Sequence, residues 1–185
     1  ARNLWTRAAP VQGTRAETYL RARGIGASFW PSALRFLPRT TSLDDTRKRP
    51  ALIAAITNHQ GDLQGVQITL LTSCGRDKAT IETPSRIIGR LSGGAVRLCD
   101  GNGEGVLIVG EGVETALSAS KALGAPAWSA LTAGNLARFD PPDWVRRLII
   151  AADRGPAGEA AAETLADRMA ERGLPAETML APDAY

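Results

Sequence analysis

Two acidic residues, Glu111 and Asp153, have the type and the position to do chemistry in this chain. Each follows an apolar run, residues 106–109 before Gly110-Glu111-Gly112 and residues 148–152 before Asp153. The carboxyl ends of parallel strands share one edge of a sheet, and ligands bind at that edge. We therefore expect the two carboxylates to form one site. Carboxylate oxygens suit Mg²⁺ or Mn²⁺, and Mg²⁺ is commonly held by one or two carboxylates with water and phosphate oxygens.

Glycines beside Glu111 favour the approach of a phosphate group. Gly110 and Gly112 allow a tight backbone corner and leave room for a close anion. The helix predicted after Gly112 begins with its positive dipole end at this corner, which also favours an anion. The alternative is structural: Glu111 and Glu114 complement the helix dipole, and Asp153 caps a helix or a turn. Spacing alone leaves both interpretations open.

The elements that must position these acids alternate between strands and helices after residue 100. Strands are predicted at residues 106–109, 127–131, 148–152 and 177–181, and helices at residues 114–123 and 158–172. Gly124 and Gly173 follow the two helices as stop signals. Strands that alternate with helices indicate a parallel sheet covered on both faces. We predict an α/β domain over residues 101–185.

Residues 1–100 predict a small basic α+β lobe with an antiparallel sheet. Thr14 and Glu17 form a capping box for a short helix, which Gly24 ends. Strands are predicted at residues 51–57, 65–72 and 95–99. Prolines interrupt the apolar residues 29–38, so we expect no long regular structure there.

Composition restricts the classes of function. The chain has 185 residues, of which 44% are hydrophobic and 22% charged, as in soluble globular proteins. No apolar run approaches the roughly 20 residues that span a bilayer. One histidine, His59, and two distant cysteines disfavour a four-ligand zinc site and a Ser-His-Asp or Cys-His enzyme. Two lone cysteines fit a reducing compartment, so we expect a cytoplasmic protein.

Charge is distributed unevenly along the chain. Residues 1–50 hold ten Lys and Arg against three Asp and Glu, whereas residues 51–185 hold twelve against sixteen. This asymmetry is typical of a surface that binds a polyanion. The alternative is a solvated basic face whose arginines pair with acids elsewhere.

Two stretches resemble the signatures of the Toprim domain, which occurs in bacterial-type primases, type IA and II topoisomerases and some nucleases. They are Leu107-Ile-Val-Gly-Glu111-Gly112-Val-Glu-Thr-Ala and Ile149-Ile-Ala-Ala-Asp153-Arg-Gly-Pro-Ala-Gly158. Residues 13–25, 50–56, 65–71 and 89–98 are similar to a primase-like Toprim group of phage, plasmid and integrated-element proteins. The resemblance implies a Toprim-like (Rossmann-like) parallel sheet flanked by helices, preceded by the small α+β lobe.

The resemblance also implies a metal site. Glu111 matches the family's glutamate, Asp153 matches the first aspartate of an Asp-x-Asp pair, and Gly158 matches an Ala-Gly turn. Together the acids would hold Mg²⁺ or Mn²⁺ near phosphates. The second aspartate falls at position 155, where this chain has Gly155. This departure weakens metal binding, transfers the role to another acid or a water molecule, or leaves a module without catalysis.

The implied activity is that of a DNA primase-like fragment. It joins nucleoside triphosphates into a primer on single-stranded DNA by metal-dependent nucleotidyl transfer, with a replicative helicase as a further partner. Candidate nucleic-acid or nucleotide contacts are Arg76, Lys78, Arg86, Arg90 and Arg97. Ordinary surface charge is the alternative for each. Two other functions stay open: DNA cleavage by a Toprim nuclease, and a non-catalytic module that binds DNA or a replication partner, which Gly155 favours.

Overall fold

The computed structural model describes residues 1–99 and 104–180. The chain forms two compact units, Ala1–Leu91 and Ser92–Tyr185, called here the N-terminal and the C-terminal unit. Each unit contains a five-stranded sheet. The domain boundary predicted between residues 100 and 101 lies outside the described residues. No helix within the described ranges is long and apolar enough to cross a membrane.

The N-terminal unit has an antiparallel sheet in the order β1-β2-β3-β4-β5. Its strands are β1 (Ala9–Pro10), β2 (Leu34–Thr41), β3 (Lys48–Thr57), β4 (Leu63–Leu70) and β5 (Ser85–Gly89). Two helices, α1 (Arg2–Arg7) and α2 (Arg15–Ala22), accompany the sheet. The predicted N-cap of α2 forms, because Thr14 Oγ1 accepts a hydrogen bond from the Ala16 amide. The predicted capping box is not the reciprocal one, since Glu17 accepts from the amide of Gly13, one residue before the N-cap, while the Thr14 amide donates to the Val11 carbonyl.

The β2 strand corrects the expectation that residues 29–38 lack long regular structure. The strand begins at Leu34 and continues through Pro38 to Thr41. Its register against β3 shifts between Leu37 and Thr40. Since proline has no amide hydrogen for a ladder bond, the irregularity at Pro38 is what lets the strand accept it.

The C-terminal unit has a mainly parallel sheet in the order β10-β9-β7-β8-β6. Its strands are β6 (Val96–Arg97), β7 (Val106–Gly110), β8 (Ala127–Ser129), β9 (Arg147–Ala152) and β10 (Ala176–Leu180). Only β6 among these described strands runs antiparallel, and it pairs with β8. The sequence grouped this strand with the first lobe, whereas the structure places it in the second sheet.

Helices cover both faces of the second sheet, as predicted for the α/β class. They are α3 (Val113–Leu123), α4 (Ala133–Leu136) and α5 (Pro156–Glu171). Leu107 and Val109 of β7 join one core with Ala162 and Leu165 of α5. On the opposite face α3 lies directly against β7. Because both faces are covered, β7 and β9 are buried almost throughout and their carboxyl ends are held firmly.

Candidate metal and phosphate site

Glu111 lies at the corner between β7 and α3. The corner is tight because a Cβ atom at Gly110 would come within 3.0 Å of the Ala116 backbone nitrogen. The carbonyl oxygen of Glu111 accepts hydrogen bonds from the Leu131 amide at 2.7 Å and from the Ser129 hydroxyl at 2.9 Å. The backbone of Glu111 is therefore fixed by the segment that follows β8.

Asp153 lies at the corresponding corner between β9 and α5. Strands β7 and β9 are parallel neighbours in which Gly110 pairs with Ala151, so Glu111 and Asp153 emerge at the same edge. Gly155 precedes α5 with φ 120° and ψ 159°, a conformation that only glycine adopts easily. Its amide donates to the Glu159 carboxylate at 3.1 Å, which satisfies one of the free donors at the helix start.

Contacts between the two corners bring the two acids into one site. The hydroxyl of Thr115, in the first turn of α3, donates a short hydrogen bond to the Asp153 carboxylate. A Cβ atom at Gly112 would lie 3.7 Å from Asp153 Oδ2, and one at Gly158 would lie 3.3 Å from Glu111 Oε2. Each carboxylate therefore reaches the start of the helix that follows the other acid.

Gly158 has a further reason to be glycine. A Cβ atom there would overlap the carbonyl oxygen of Asp153. The missing side chain lets α5 begin close against the Asp153 corner. Of the glycines that the sequence singles out, Gly112 and Gly158 border the two acids, whereas Gly110 lies against Ala116 of α3.

The Glu111 carboxyl carries an electrostatic penalty. Burial raises its pKa above the ordinary value, the neighbouring charge of Asp153 raises it further, and a hydrogen bond from the Ala133 amide opposes both. A bound cation would relieve the repulsion between the two carboxylates. Two close carboxylates, one of them with a raised pKa, are the arrangement expected where a cation binds.

The side chains present fit a small divalent cation with few protein ligands. Within residues 1–99 and 104–180, no group of three or more His, Cys, Asp or Glu side chains is placed to hold a metal. Glu111 and Asp153 nevertheless provide two carboxylates at one edge, and Mg²⁺ often takes its other ligands from water and substrate phosphates. The arrangement suits Mg²⁺ or Mn²⁺ held jointly with a phosphate ligand, and it does not suit a closed protein cage.

The five predicted basic residues do not form one group within a single unit. Arg76, Lys78, Arg86 and Arg90 belong to the N-terminal unit, whereas Arg97 lies on β6 of the C-terminal unit. Arg76 and Arg90 are exposed, and Lys78 and Arg86 are half-buried. The guanidinium of Arg97 lies 4.5 Å from the ring centroid of the buried Trp128, so packing explains part of its position.

Sequence reasoning missed two features that hold the acids. Thr115 is one, although its place in the first turn of the predicted helix, close to Glu111 in sequence, was a visible signal. The segment after β8 is the other: Leu131 adopts φ 70° and directs its amide to Glu111. No local pattern identifies a leucine in the left-handed region, because only the packed loop imposes that conformation.

Family comparisons match both parts of the chain. The model described as a Toprim domain matches residues 106–184, and the model described as "Domain of unknown function (DUF7146)" matches residues 1–98. A comparison with curated proteins finds no match.

Two solved structures resemble the whole chain in fold. A crystal structure of a DNA primase domain from Pseudomonas aeruginosa aligns with TM-score 0.61 and 11% identity, over 100% of this chain and 70% of that one. The RNA polymerase domain of Mycobacterium tuberculosis primase DnaG aligns with TM-score 0.54 and 17% identity, over 100% of this chain and 74% of that one. At these identities the likeness concerns the fold.

Proposed function

This chain belongs to the DUF7146 domain family and carries a Toprim domain, and from that premise we propose that it is a primase-like nucleotidyltransferase. The reaction would extend a primer on single-stranded DNA from nucleoside triphosphates. The observation that carries the proposal is the pair Glu111 and Asp153, which neighbouring parallel strands deliver to one edge. The fold likeness to two primase domains agrees with it.

The roles of the residues follow from their geometry. Glu111 and Asp153 would hold the cation, and Thr115 would keep one Asp153 oxygen turned towards the site. A bound Mg²⁺ or Mn²⁺ supplies positive charge that offsets the negative charge of a triphosphate in the transition state. Gly112 leaves space beside the acids for phosphate oxygens.

Anion binding at this edge has a second source. Helices α3 and α5 both begin there, after Gly112 and Gly155, so their free amides and positive dipole ends face the same region.

The predicted basic residues have a separate role in the proposal. Contacts to backbone phosphates of template or nucleotide, without reading sequence, would come from Arg76, Lys78, Arg86, Arg90 and Arg97.

A primer-synthesis assay tests the proposal. The chain is incubated with a single-stranded template, ribonucleoside triphosphates and Mg²⁺ or Mn²⁺, and the products are resolved by length. We expect short primers from the wild type and a loss of at least about 100-fold in Glu111→Gln, since the cation that offsets the charge of the reacting phosphate would lose a carboxylate ligand. Glu163→Gln, an exposed glutamate in the middle of α5, serves as the matched control and should retain activity. Nicked template without primers would replace the proposal by a nuclease.

A second candidate is a non-catalytic module that binds DNA or a replication partner. Gly155 favours it, because this position matches the second aspartate of the Toprim pattern and carries no side chain. Under this alternative no primer or nicked product forms, while single-stranded DNA still binds. Measurement of binding and synthesis on the same preparation distinguishes the two functions.

A further inference from the structure

The N-terminal unit contains a cavity of about 280 Å³ with a strongly basic lining. Its polar residues lie on α1, on β2, at the start of β3 and on β5, and its apolar wall comes from the same elements and from β4. The cavity is lined by Leu4, Arg7, Leu37, Arg39, Thr40, Thr41, Lys48, Ile68, Arg86 and Ile88. Four of these side chains are cationic, and none of these lining residues is acidic.

In the part of the chain that the structure describes, these cations lack the carboxylate partners that Arg21, Arg23 and Arg49 of the same unit have. Arg49, next to Lys48 in sequence, pairs with Asp45 at 2.6 Å and lowers the pKa of that carboxyl to about 2. Arg23 forms an ion pair with Asp77 at 2.5 Å. Within the described residues no carboxylate pairs with the four cations of the cavity, Arg7, Arg39, Lys48 and Arg86. Internal ion pairing therefore does not explain why they converge.

Buried polar atoms also point to a ligand. Thr40 is 6% exposed, and its hydroxyl has no hydrogen-bond partner among the described residues. The Nε and Nη1 atoms of Arg86 are buried without a partner as well, while its Nη2 donates to the Thr41 carbonyl at 2.7 Å. A buried donor without an acceptor is energetically unfavourable, and buried polar groups in folded proteins usually have a hydrogen-bond partner. A ligand is one source of such a partner. Arg86 is thus anchored at one nitrogen, and two other nitrogens of the guanidinium are buried without an acceptor among the described residues.

We propose that this cavity is a binding pocket for a phosphate group of a nucleotide or of a single-stranded nucleic acid. Arg86 and Thr40 form its floor, and the exposed Arg7, Arg39 and Lys48 form its rim. Arginine donors match phosphate oxygens in forked geometry, and the apolar wall strengthens those bonds by excluding water. Because the volume lies just below that of ordinary ligand pockets, it suits a phosphate with its nearest atoms better than a whole nucleotide.

The pocket deepens the proposed function at Arg86, which that function already places against a phosphate, but it lies wholly in the N-terminal unit and requires neither Glu111 nor a metal. Its test is binding in EDTA, by fluorescence anisotropy of labelled single-stranded oligo-dT and by competition with ATP. The pocket variant is Arg39→Ala/Lys48→Ala. The control variant, Arg2→Ala/Arg15→Ala, removes two exposed cations of the same unit that do not line the cavity.

We expect the pocket variant to bind at least about ten-fold more weakly, since charge-assisted bonds are lost. For oligo-dT the slope of log affinity against log salt should also fall by about 0.7 for each phosphate contact removed. The control should change far less. An effect on oligo-dT identifies a strand phosphate as the ligand, and an effect confined to ATP identifies a nucleotide. Equal losses in both variants, or no loss in either, would overturn the pocket.

Thr40→Val tests the floor with little change of shape. We expect affinity to fall about two- to ten-fold, because one hydrogen bond to the ligand is lost. The midpoint of thermal unfolding should stay the same or rise, because a methyl group replaces an unpartnered buried hydroxyl. Unchanged affinity in Thr40→Val would contradict the proposal that the Thr40 hydroxyl binds the ligand at the floor of the pocket. Because binding is measured in EDTA, without the metal that the catalytic proposal requires, failure of the pocket and failure of the catalytic proposal are separable.

Discussion

The corners that carry Glu111 and Asp153 share one plan, yet they hold their acids differently. At the first corner, Gly110 lies beneath α3, and two hydrogen bonds fix the carbonyl of Glu111. At the second corner, Gly155 is open, since among the described residues no atom beyond its chain neighbours lies within 4 Å of a Cβ atom placed there. The Asp153 carboxylate is held by Thr115, which belongs to the first corner.

This difference indicates that the two corners contribute differently to the position of the two acids. The first corner positions its acid through the backbone, and it also provides the side chain that orients the second acid. The second corner depends on glycine at two places, Gly155 for its backbone conformation and Gly158 for the close start of α5. Substitutions of the glycines at the second corner should therefore change stability. Substitutions of Thr115 and Glu111 at the first corner should change metal affinity and the pH dependence of stability.

Gly158→Ala should have the largest effect, because it forces apart the two elements that meet at the second corner. The added methyl group would overlap the Asp153 carbonyl oxygen. We expect the free energy of unfolding to fall by about 2–3 kcal/mol, as for other overpacked sites. Urea denaturation measures this change. Gly134→Ala, whose methyl would meet only the end of the Arg138 side chain at 3.6 Å, should be close to neutral.

Gly155→Ala and Gly155→Asp separate backbone strain from side-chain contact. Space is open around this position, but φ 120° is unfavourable for any residue with a Cβ atom. We expect each substitution to lower the free energy of unfolding by about 1–2 kcal/mol. Full stability of Gly155→Asp would mean that the backbone does not exclude an acid here.

Thr115→Val should break the link between the corners while leaving the fold intact. Asp153 then loses the hydroxyl that orients its carboxylate. We expect Mn²⁺ affinity to fall about ten-fold, which is typical for a group that orients a metal ligand. Isothermal titration calorimetry measures the affinity. Thr164→Val is the control, because the Thr164 hydroxyl bonds only to the Ala160 carbonyl of its own helix.

Glu111→Gln should give a smaller effect, on stability, in metal-free buffer. Burial and Asp153 raise the pKa of Glu111, so its ionised form destabilises the folded state once the pH rises through that pKa. The amide should therefore raise the thermal midpoint at neutral pH. The gain should vanish below the ordinary glutamate pKa of about 4.3, where the carboxyl is protonated in both states. A gain that persists at low pH would contradict an electrostatic origin.

Much of the C-terminal unit is predictable from local patterns. Apolar runs followed by Gly-acid corners identify β7 and β9, and the rule that parallel strands end at one edge brings Glu111 and Asp153 together. The pairing of β6 with β8 is not predictable, because a two-residue strand has no periodicity of its own. It joins whichever sheet offers an edge.

The N-terminal unit shows more clearly what local sequence patterns cannot predict. The Thr14 N-cap of α2 is a local signal and forms as expected, although Glu17 bonds to the Gly13 amide and not to the Thr14 amide. Pro38 in β2 misled the prediction, since a register shift absorbs the missing donor. The basic cavity cannot be predicted from sequence patterns either, because Arg7, Arg39 and Arg86 are distant in sequence and converge only in the folded unit.

Manganese binding to the wild-type chain and its variants tests the two-carboxylate site most directly. Electron paramagnetic resonance of free Mn²⁺ gives the bound fraction without requiring activity. The geometry predicts that Glu111→Gln and Asp153→Asn each weaken binding beyond about 100-fold, the upper range for groups outside the metal's ligands. Glu163→Gln should match the wild type. Wild-type affinity in Glu111→Gln would contradict the assignment of Glu111 as a metal ligand.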